Sequence, residues 1–286
     1  MLVLRKAPGL LLFSCLAFVA APAMAASALV EEILVKSGAS EQLAQIARIA
    51  QLSYEKAAEE RDGTESGQSP AVRERIRKLI GEAFAPEKLK ESVGAELEAK
   101  LSPAEMQAIV KWLDSPLIKK CTQLEIAAGT PEASEEIDAY MVELQRTPAP
   151  KSRSQLAKQF DSVQHATRST ATVILGMQIA SISAIAAMLP AEKQISFSDL
   201  VKVAEKQRPA LETSVRPMVR AQILYTYRSL STAELKRYIK EMGSGPGKKF
   251  YSVSQTAYEK ALIEASARSS KSILDAVRNL DKETDA

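Results

Sequence analysis

Four Ser-Pro or Thr-Pro pairs divide the first half of the chain. A serine or threonine side chain can accept a hydrogen bond from the free amides at a helix start, and proline suits the first helical position. Two segments, Ser102 to Glu105 and Ser231 to Glu234, also have the spacing of a capping box. The four pairs are Ser69-Pro70, Ser102-Pro103, Ser115-Pro116 and Thr130-Pro131.

These helix starts predict an all-α fold. No stretch alternates apolar and polar residues for long enough to indicate a strand. Glycine and proline are scarce, with 11 and 13 of 286 residues. A polar loop is predicted at 61–68 and a linker at 147–154. The predicted helices are 28–36, 41–60, 70–84, 86–100, 103–113, 116–128, 131–145, 153–190, 198–206, 209–229, 232–242 and 247 to about 280.

Residues 1–25 have the pattern of a cleavable signal peptide. Two basic residues precede a largely apolar run of about 12 residues at 10–21, and small residues follow. Cleavage is predicted between Ala25 and Ala26, with delivery to the periplasm. An N-terminal membrane anchor is the alternative, but the apolar run is shorter than the ~20 residues that a spanning helix needs. Lipid attachment at Cys15 is a weaker alternative because Phe13 fits a lipidation motif poorly.

Removal of the signal peptide leaves Cys121 as the single cysteine, so no intramolecular disulfide can form. The remaining chain of about 261 residues is long enough to be held by its core. Cys121 is predicted to be a buried, inert thiol.

The two halves of the chain differ in charge. Residues 26–146 hold 15 basic and 22 acidic side chains, a net charge of −7, whereas residues 147–286 hold 21 and 13, a net of +8. Three interpretations fit this asymmetry. The surfaces are simply solvated, the halves attract each other, or the basic half binds an anionic partner.

A 21-residue segment occurs twice. Residues 101–121 align without gaps on residues 230–250, and eight positions are identical. Both copies contain a capped amphipathic helix, a Ser/Gly/Pro elbow and a second helix that opens with two lysines. We therefore predict two related helical-bundle domains, 26–146 and 155–286, joined by the linker.

The repeated residues resemble a known family. Leu-Ser-x-x-Glu, an apolar helix and then Ser-Pro-x-Gly-Lys-Lys resembles exported bacterial proteins with domain of unknown function 2059. The copies depart from that pattern at Ile118, where the family favours glycine, and at Gly245-Pro246-Gly247, where proline is shifted by one. The resemblance implies a helical domain behind a signal peptide. It implies no activity, because the family has no established catalytic residues.

The paired lysines at the two elbows are the candidate binding residues. Cations near a helix start oppose the helix dipole, so helix stability does not explain them. They are predicted either to contact an acidic surface or lipid headgroups, or to lie on a solvated helix face. The four residues are Lys119, Lys120, Lys248 and Lys249.

No motif indicates catalytic, cofactor-binding or metal-binding residues. The segment 243–249 resembles a phosphate loop, but its spacing fails and no strand precedes it, so an elbow is predicted. A metal site or catalytic triad is not indicated, because His165 is the only histidine and Cys121 the only cysteine after residue 25. Adjacent acids such as Glu59-Glu60 and Glu135-Glu136 diverge on a helix and are predicted to be solvated.

Residues 171–191 are uncharged, with a length that suits a membrane span. Polar and alanine residues dilute the stretch, and small residues recur at Gly176, Ala180 and Ala184. We predict a buried central helix of a bundle. A membrane-inserted helix or a dimer interface is the alternative.

The sequence therefore favours an exported, non-enzymatic binding or interaction protein of the bacterial envelope, without a cofactor. Its partner is expected to be another envelope protein, with an anionic surface or a second copy of the chain as alternatives, and no nucleic acid. Two other functions remain open. One is an envelope-stabilising protein that contacts lipid through its basic half, and the other is an enzyme with an acid-only active site.

Overall fold

The computed structural model describes residues 20–59, 70–186 and 195–284, and this part contains helices but no strand. The all-α prediction is therefore confirmed. The helices are α1 (Ala20–Lys36), α2 (Ala39–Glu59), α3 (Pro70–Ala83), α4 (Pro86–Lys100), α5 (Pro103–Leu113), α6 (Pro116–Ala128), α7 (Pro131–Arg146), α8 (Lys151–Gln164), α9 (Ala166–Ala186), α10 (Phe197–Thr226), α11 (Thr232–Met242) and α12 (Gly245–Thr284).

Local capping signals set several helix starts. Ser102 and Ser231 each accept a hydrogen bond from the backbone N–H three residues on, and the glutamate there accepts one from the serine backbone. Both predicted capping boxes are thus confirmed. Thr130 caps α7 in the simpler way, through the amide of Ala133, whereas Ser115 forms no side-chain cap.

The predicted helix 153–190 is wrong as a single helix. His165 adopts a left-handed backbone with φ of 55°, which ends α8 and starts α9. Buried Asp161 stabilises the break, because its carboxylate accepts from the Thr167 amide at 2.8 Å and from the Thr167 hydroxyl at 2.7 Å. A carboxylate at a helix N-terminus also suits the helix dipole.

The predicted separation of 198–206 from 209–229 is also wrong, because α10 continues through Pro209 and Pro217. An internal proline removes one helical hydrogen bond. Here both proline rings are exposed, and α10 packs along α8 and α9, so tertiary contacts maintain the helix.

Helix α8 begins at Lys151, which leaves 147–150 as the non-helical part of the predicted linker. The predicted loop 61–68 lies outside the described residues.

The two halves share a hydrophobic core through exchanged helices. Helix α12 packs on α3, α4 and α5, whereas α6 packs on α10 and α11 and α7 packs on α10. Helix α2 also contacts α9 of the second half, whereas α1 packs on α4 and α5, and α8 packs on α10 and α11, within their own halves. One continuous cluster of buried side chains contains residues from both halves.

Ion pairs also join the halves. Lys260 of α12 donates to Glu96 of α4 at 2.8 Å, and Arg228 lies 3.7 Å from Glu136 of α7. In both pairs the cation belongs to the basic half and the carboxylate to the acidic half. These contacts favour the interpretation that the charge asymmetry draws the halves together.

Helix α9 lies in the interior. Its Gly176 packs against α12, and the buried Ser266 hydroxyl donates to the Gly176 carbonyl at 3.0 Å. The side chains of Ala171, Leu175 and Ala180 are buried, as the buried-helix prediction requires. Within the part of the chain that is described, no helix has both the length and the apolarity needed to span a membrane. Residues 187–191 of the predicted stretch lie outside that part.

The predicted signal peptide falls mainly on residues 1–19, which lie outside the described part. Helix α1 begins at Ala20 and passes through the predicted cleavage site between Ala25 and Ala26.

Replacement of His165 tests the helix break. A left-handed backbone costs a non-glycine residue roughly 1–2 kcal/mol, and glycine avoids this cost. Glycine also has more conformational freedom in the unfolded chain, which offsets part of the gain in stability. We expect His165→Gly to raise the free energy of unfolding by about 0.5–1 kcal/mol in urea titrations. The β-branched control His165→Val should lower it. A less stable glycine variant would contradict the assigned geometry.

Candidate functional site

A cavity of about 540 Å³, partly open to the surface, lies between α2, α6, α8, α9, α10 and α12. This volume falls in the ~300–1,000 Å³ range of small-molecule sites. Its wall is largely apolar, with uncharged polar groups from glutamine, serine and threonine side chains. Apolar lining residues include Ile46, Ile118, Phe160, Ile174, Met177, Val219 and Phe250. Polar ones include Gln42, Gln164, Gln222, Ser254 and Gln255.

Two charged residues, Glu125 and Glu259, line this cavity within the described part of the chain, and no lysine, arginine or histidine there does so. Glu259 lies 3.6 Å from the Arg208 guanidinium, which also donates two shorter hydrogen bonds to Glu205. For Glu125 the described residues supply no cation. Among the described residues, Glu125 is therefore the cavity carboxyl with no basic side chain within ion-pair distance.

Tyrosine hydroxyls hold the Glu125 carboxyl in place. Tyr227 donates to Glu125 Oε1 at 2.5 Å, and Tyr238 donates to the same oxygen at 2.7 Å. The Tyr251 hydroxyl lies 3.0 Å from the Tyr238 hydroxyl and continues the network. Among the described residues, none donates a hydrogen bond to the second oxygen, Oε2.

The site combines residues from both halves. Glu125 lies on α6 of the first half, whereas Tyr227 ends α10, Tyr238 lies on α11 and Tyr251 lies on α12. The Phe160 ring of α8 packs against two of these tyrosines, with centroid distances of 4.9 Å to Tyr227 and 6.0 Å to Tyr238. The exchanged helices therefore position the carboxyl.

Burial sets the protonation of this network. Desolvation raises the pKa of the Glu125 carboxyl, and the tyrosine hydrogen bonds oppose that shift. The pKa values of Tyr227 and Tyr238 lie well above their ordinary value because both phenols are desolvated beside Glu125. Cys121, one turn before Glu125, is fully buried, and desolvation raises the pKa of its thiol to about 12. The prediction of a buried thiol is confirmed.

Three of the four predicted anion-binding lysines pair with carboxylates of this chain. Lys119 lies 2.8 Å from Asp114, Lys120 lies 2.8 Å from Glu234, and Lys249 lies 3.1 Å from Glu105. Lys248 is exposed and forms no ion pair with the described residues. None of the four lines the cavity. Their contact with an anionic partner stays a prediction.

Two of these pairs connect the repeated segments reciprocally. Lys120 of the first copy pairs with Glu234, the capping-box glutamate of the second copy. Lys249 of the second copy pairs with Glu105, the capping-box glutamate of the first. Hydrogen bonds from the serine backbone and the lysine lower the pKa of Glu105 to about 2. Hydrogen bonds from Lys120 and Ser231 likewise lower the pKa of Glu234 to about 2.

The other sequence candidates do not contribute to the cavity. His165 is exposed at the junction between α8 and α9. Segment 243–249 follows a helix and forms the predicted elbow, where a Cβ at Gly247 would lie 2.4 Å from the Glu241 carbonyl oxygen. Among the described residues, no group of three or more His, Cys, Asp or Glu side chains is placed to hold a metal ion.

Sequence reasoning missed Glu125 and its tyrosines. One signal was present, because Glu125 follows Ile118 and Cys121 at the spacing of one helix face. A carboxylate on a helix face that is predicted to be buried indicates that polar partners surround it. The tyrosines are separated from Glu125 by about 100 residues or more, so their contact required the tertiary structure.

Comparisons with protein-family models, curated proteins and solved structures found no match. The resemblance to proteins with domain of unknown function 2059 therefore stays a prediction.

The desolvated Glu125 carboxyl predicts a pH-dependent stability. Because the folded pKa of Glu125 is raised, the folded protein keeps a proton that the unfolded chain has lost above about pH 4.3. Folding stability from this group is thus present at low pH and falls as pH rises through the folded pKa. Glu125→Gln has no such proton to lose. We expect the wild-type free energy of unfolding to fall relative to Glu125→Gln between pH 4 and 8.

Urea titrations across that range measure this difference. The exposed Glu135 of α7 provides the control, since Glu135→Gln should leave the wild-type pH profile unchanged. A constant difference between wild type and Glu125→Gln would contradict a desolvated Glu125, as would a wild type that gains stability with pH relative to Glu125→Gln.

Proposed function

We propose that this chain is an exported helical binding protein of the bacterial envelope and that its cavity holds a small, largely apolar ligand. One observation carries the proposal, namely a cavity of ligand size between interlocked halves, with an apolar wall and a few polar groups. Export rests on the predicted signal peptide.

A binding role has more support than catalysis. General acid–base chemistry requires groups in reach of a substrate with complementary protonation states. Glu125 is bound by two phenols whose pKa values are raised, and Cys121 is protonated at neutral pH. Glutamine, serine and threonine side chains orient a ligand without reacting with it. Lipid contact through the paired lysines has less support, because three of the four pair with carboxylates of this chain.

We further propose that the halves arose by duplication and form two related, interlocked helical units. Helices α5 and α11 have 11 residues each and the same capping box. Helices α2 and α9 both follow a left-handed residue, Gly38 with φ of 72° and His165 with φ of 55°. The reciprocal pairs of Lys120 with Glu234 and Lys249 with Glu105 support the same relation.

The remaining helices correspond in order. Helices α3 and α4 together match the span of α10, and α6 and α7 match the first part of α12. By the spacing of the repeat, Glu125 corresponds to Ser254, and both line the cavity. The proposed duplication thus places one asymmetric site between two similar units, with the acid on one side and a hydroxyl on the other.

A fluorescent apolar probe tests ligand binding. N-phenyl-1-naphthylamine, which is uncharged at neutral pH, should bind the mature protein with an increase in fluorescence. Ser254→Phe fills part of the cavity and should weaken probe binding at least tenfold. Ser252 lies two residues away on α12 and is exposed, so Ser252→Phe is the matched control and should bind as wild type does.

Two results would contradict the proposed function. One is a wild-type protein that fails to enhance probe fluorescence. The other is equal loss of binding in Ser254→Phe and Ser252→Phe, which would place the probe on the surface.

A further inference from the structure

We infer that the ligand is an organic ammonium compound with an apolar body, and that the Glu125 carboxylate is its counter-charge. This inference rests on the proposed function, because it assigns a chemical class to the ligand of the same cavity. It depends on the charges of the cavity wall, on the hydrogen bonds of Glu125 and on the aromatic rings beside it.

The charge of the wall favours a cation. Glu125 and Glu259 are its charged residues in the described part, and Arg208 lies within ion-pair distance of Glu259. A ligand carboxylate or phosphate would enter a low-dielectric space next to Glu125 without a lysine, arginine or histidine to meet it. A ligand ammonium group would instead supply the positive counter-charge that the Glu125 carboxylate lacks among the described residues.

The hydrogen bonds of Glu125 leave one oxygen for the ligand. Tyr227 and Tyr238 both donate to Oε1, so the network fixes the carboxyl without occupying Oε2. Two donated hydrogen bonds also stabilise the ionised carboxylate. An ammonium N–H can then donate a charge-assisted hydrogen bond to Oε2 within the largely apolar cavity, where such a bond is stronger than in water.

Aromatic rings support the same ligand class. Five of them line the cavity, and ammonium groups bind favourably over ring faces. The apolar remainder of the wall suits a hydrocarbon or aromatic body. The five residues are Phe160, Tyr227, Phe250, Tyr251 and Tyr258.

Three amphiphiles with the same chain and different head charge provide the test. Decylamine is cationic at pH 7.5, decanol is neutral and decanoate is anionic. Competition against N-phenyl-1-naphthylamine gives the dissociation constant of each from the mature protein, below the concentration at which micelles form. We expect decylamine to bind at least tenfold more tightly than decanol, and decanoate to bind more weakly than decanol.

Glu125→Gln should reduce the preference for decylamine over decanol to less than threefold. Its decanol affinity should stay within about twofold of wild type, because the amide oxygen can still accept from both tyrosines. Unchanged decanol binding also shows that the variant keeps its cavity. Glu259→Gln is the matched control, since it alters the other lining carboxylate, and it should retain the tenfold preference.

The outcomes separate the inference from the proposed function. If N-phenyl-1-naphthylamine and all three amphiphiles fail to bind, the proposed function is wrong. If decanol binds but decylamine has no advantage, the ligand class is wrong while the cavity still binds apolar molecules. A preference that persists in Glu125→Gln, or one that is lost in Glu259→Gln, would overturn the role of Glu125.

Discussion

The exchange of helices between the two halves determines the rest of the structure. Helix α12 lies on α3, α4 and α5 of the first half, while α6 lies on α10 and α11 of the second and α7 lies on α10. The buried core therefore includes side chains from both halves. The cavity lies among these crossing helices, and its carboxyl and tyrosines come from opposite halves. Ion pairs such as Lys260 with Glu96 stabilise the same crossing.

A desolvated carboxyl that has no cation among the described residues is costly, so its neighbours explain how the fold tolerates it. The Tyr227 and Tyr238 hydroxyls replace part of the lost hydration of Glu125, and the Phe160 ring fixes the tyrosines from the other side. Residues that serve stability alone seldom have this arrangement, because apolar side chains of similar size would fill the space at lower cost. A ligand that brings a positive charge into the cavity gives the carboxyl a function.

Local chemistry made much of the fold predictable, and long-range contacts account for what was missed. The capping boxes at Ser102 and Ser231 are short signals, and both were predicted correctly. The break at His165 depends on Asp161, whose carboxylate caps the next helix, and that contact has no sequence motif. The continuity of α10 through Pro209 depends on packing against neighbouring helices. The site was missed for the same reason, since Glu125 meets Tyr238 across 113 residues of chain.

Separation of the halves tests the interlocked fold most directly. Residues 26–146 and 151–286 can be expressed as two chains, divided in the non-helical segment at 147–150. Native mass spectrometry of the co-expressed pair should show a stable one-to-one complex that binds N-phenyl-1-naphthylamine, because each chain covers the apolar surface that the other exposes. Two separately folded monomers that do not associate would contradict a shared core and a cavity built by both halves.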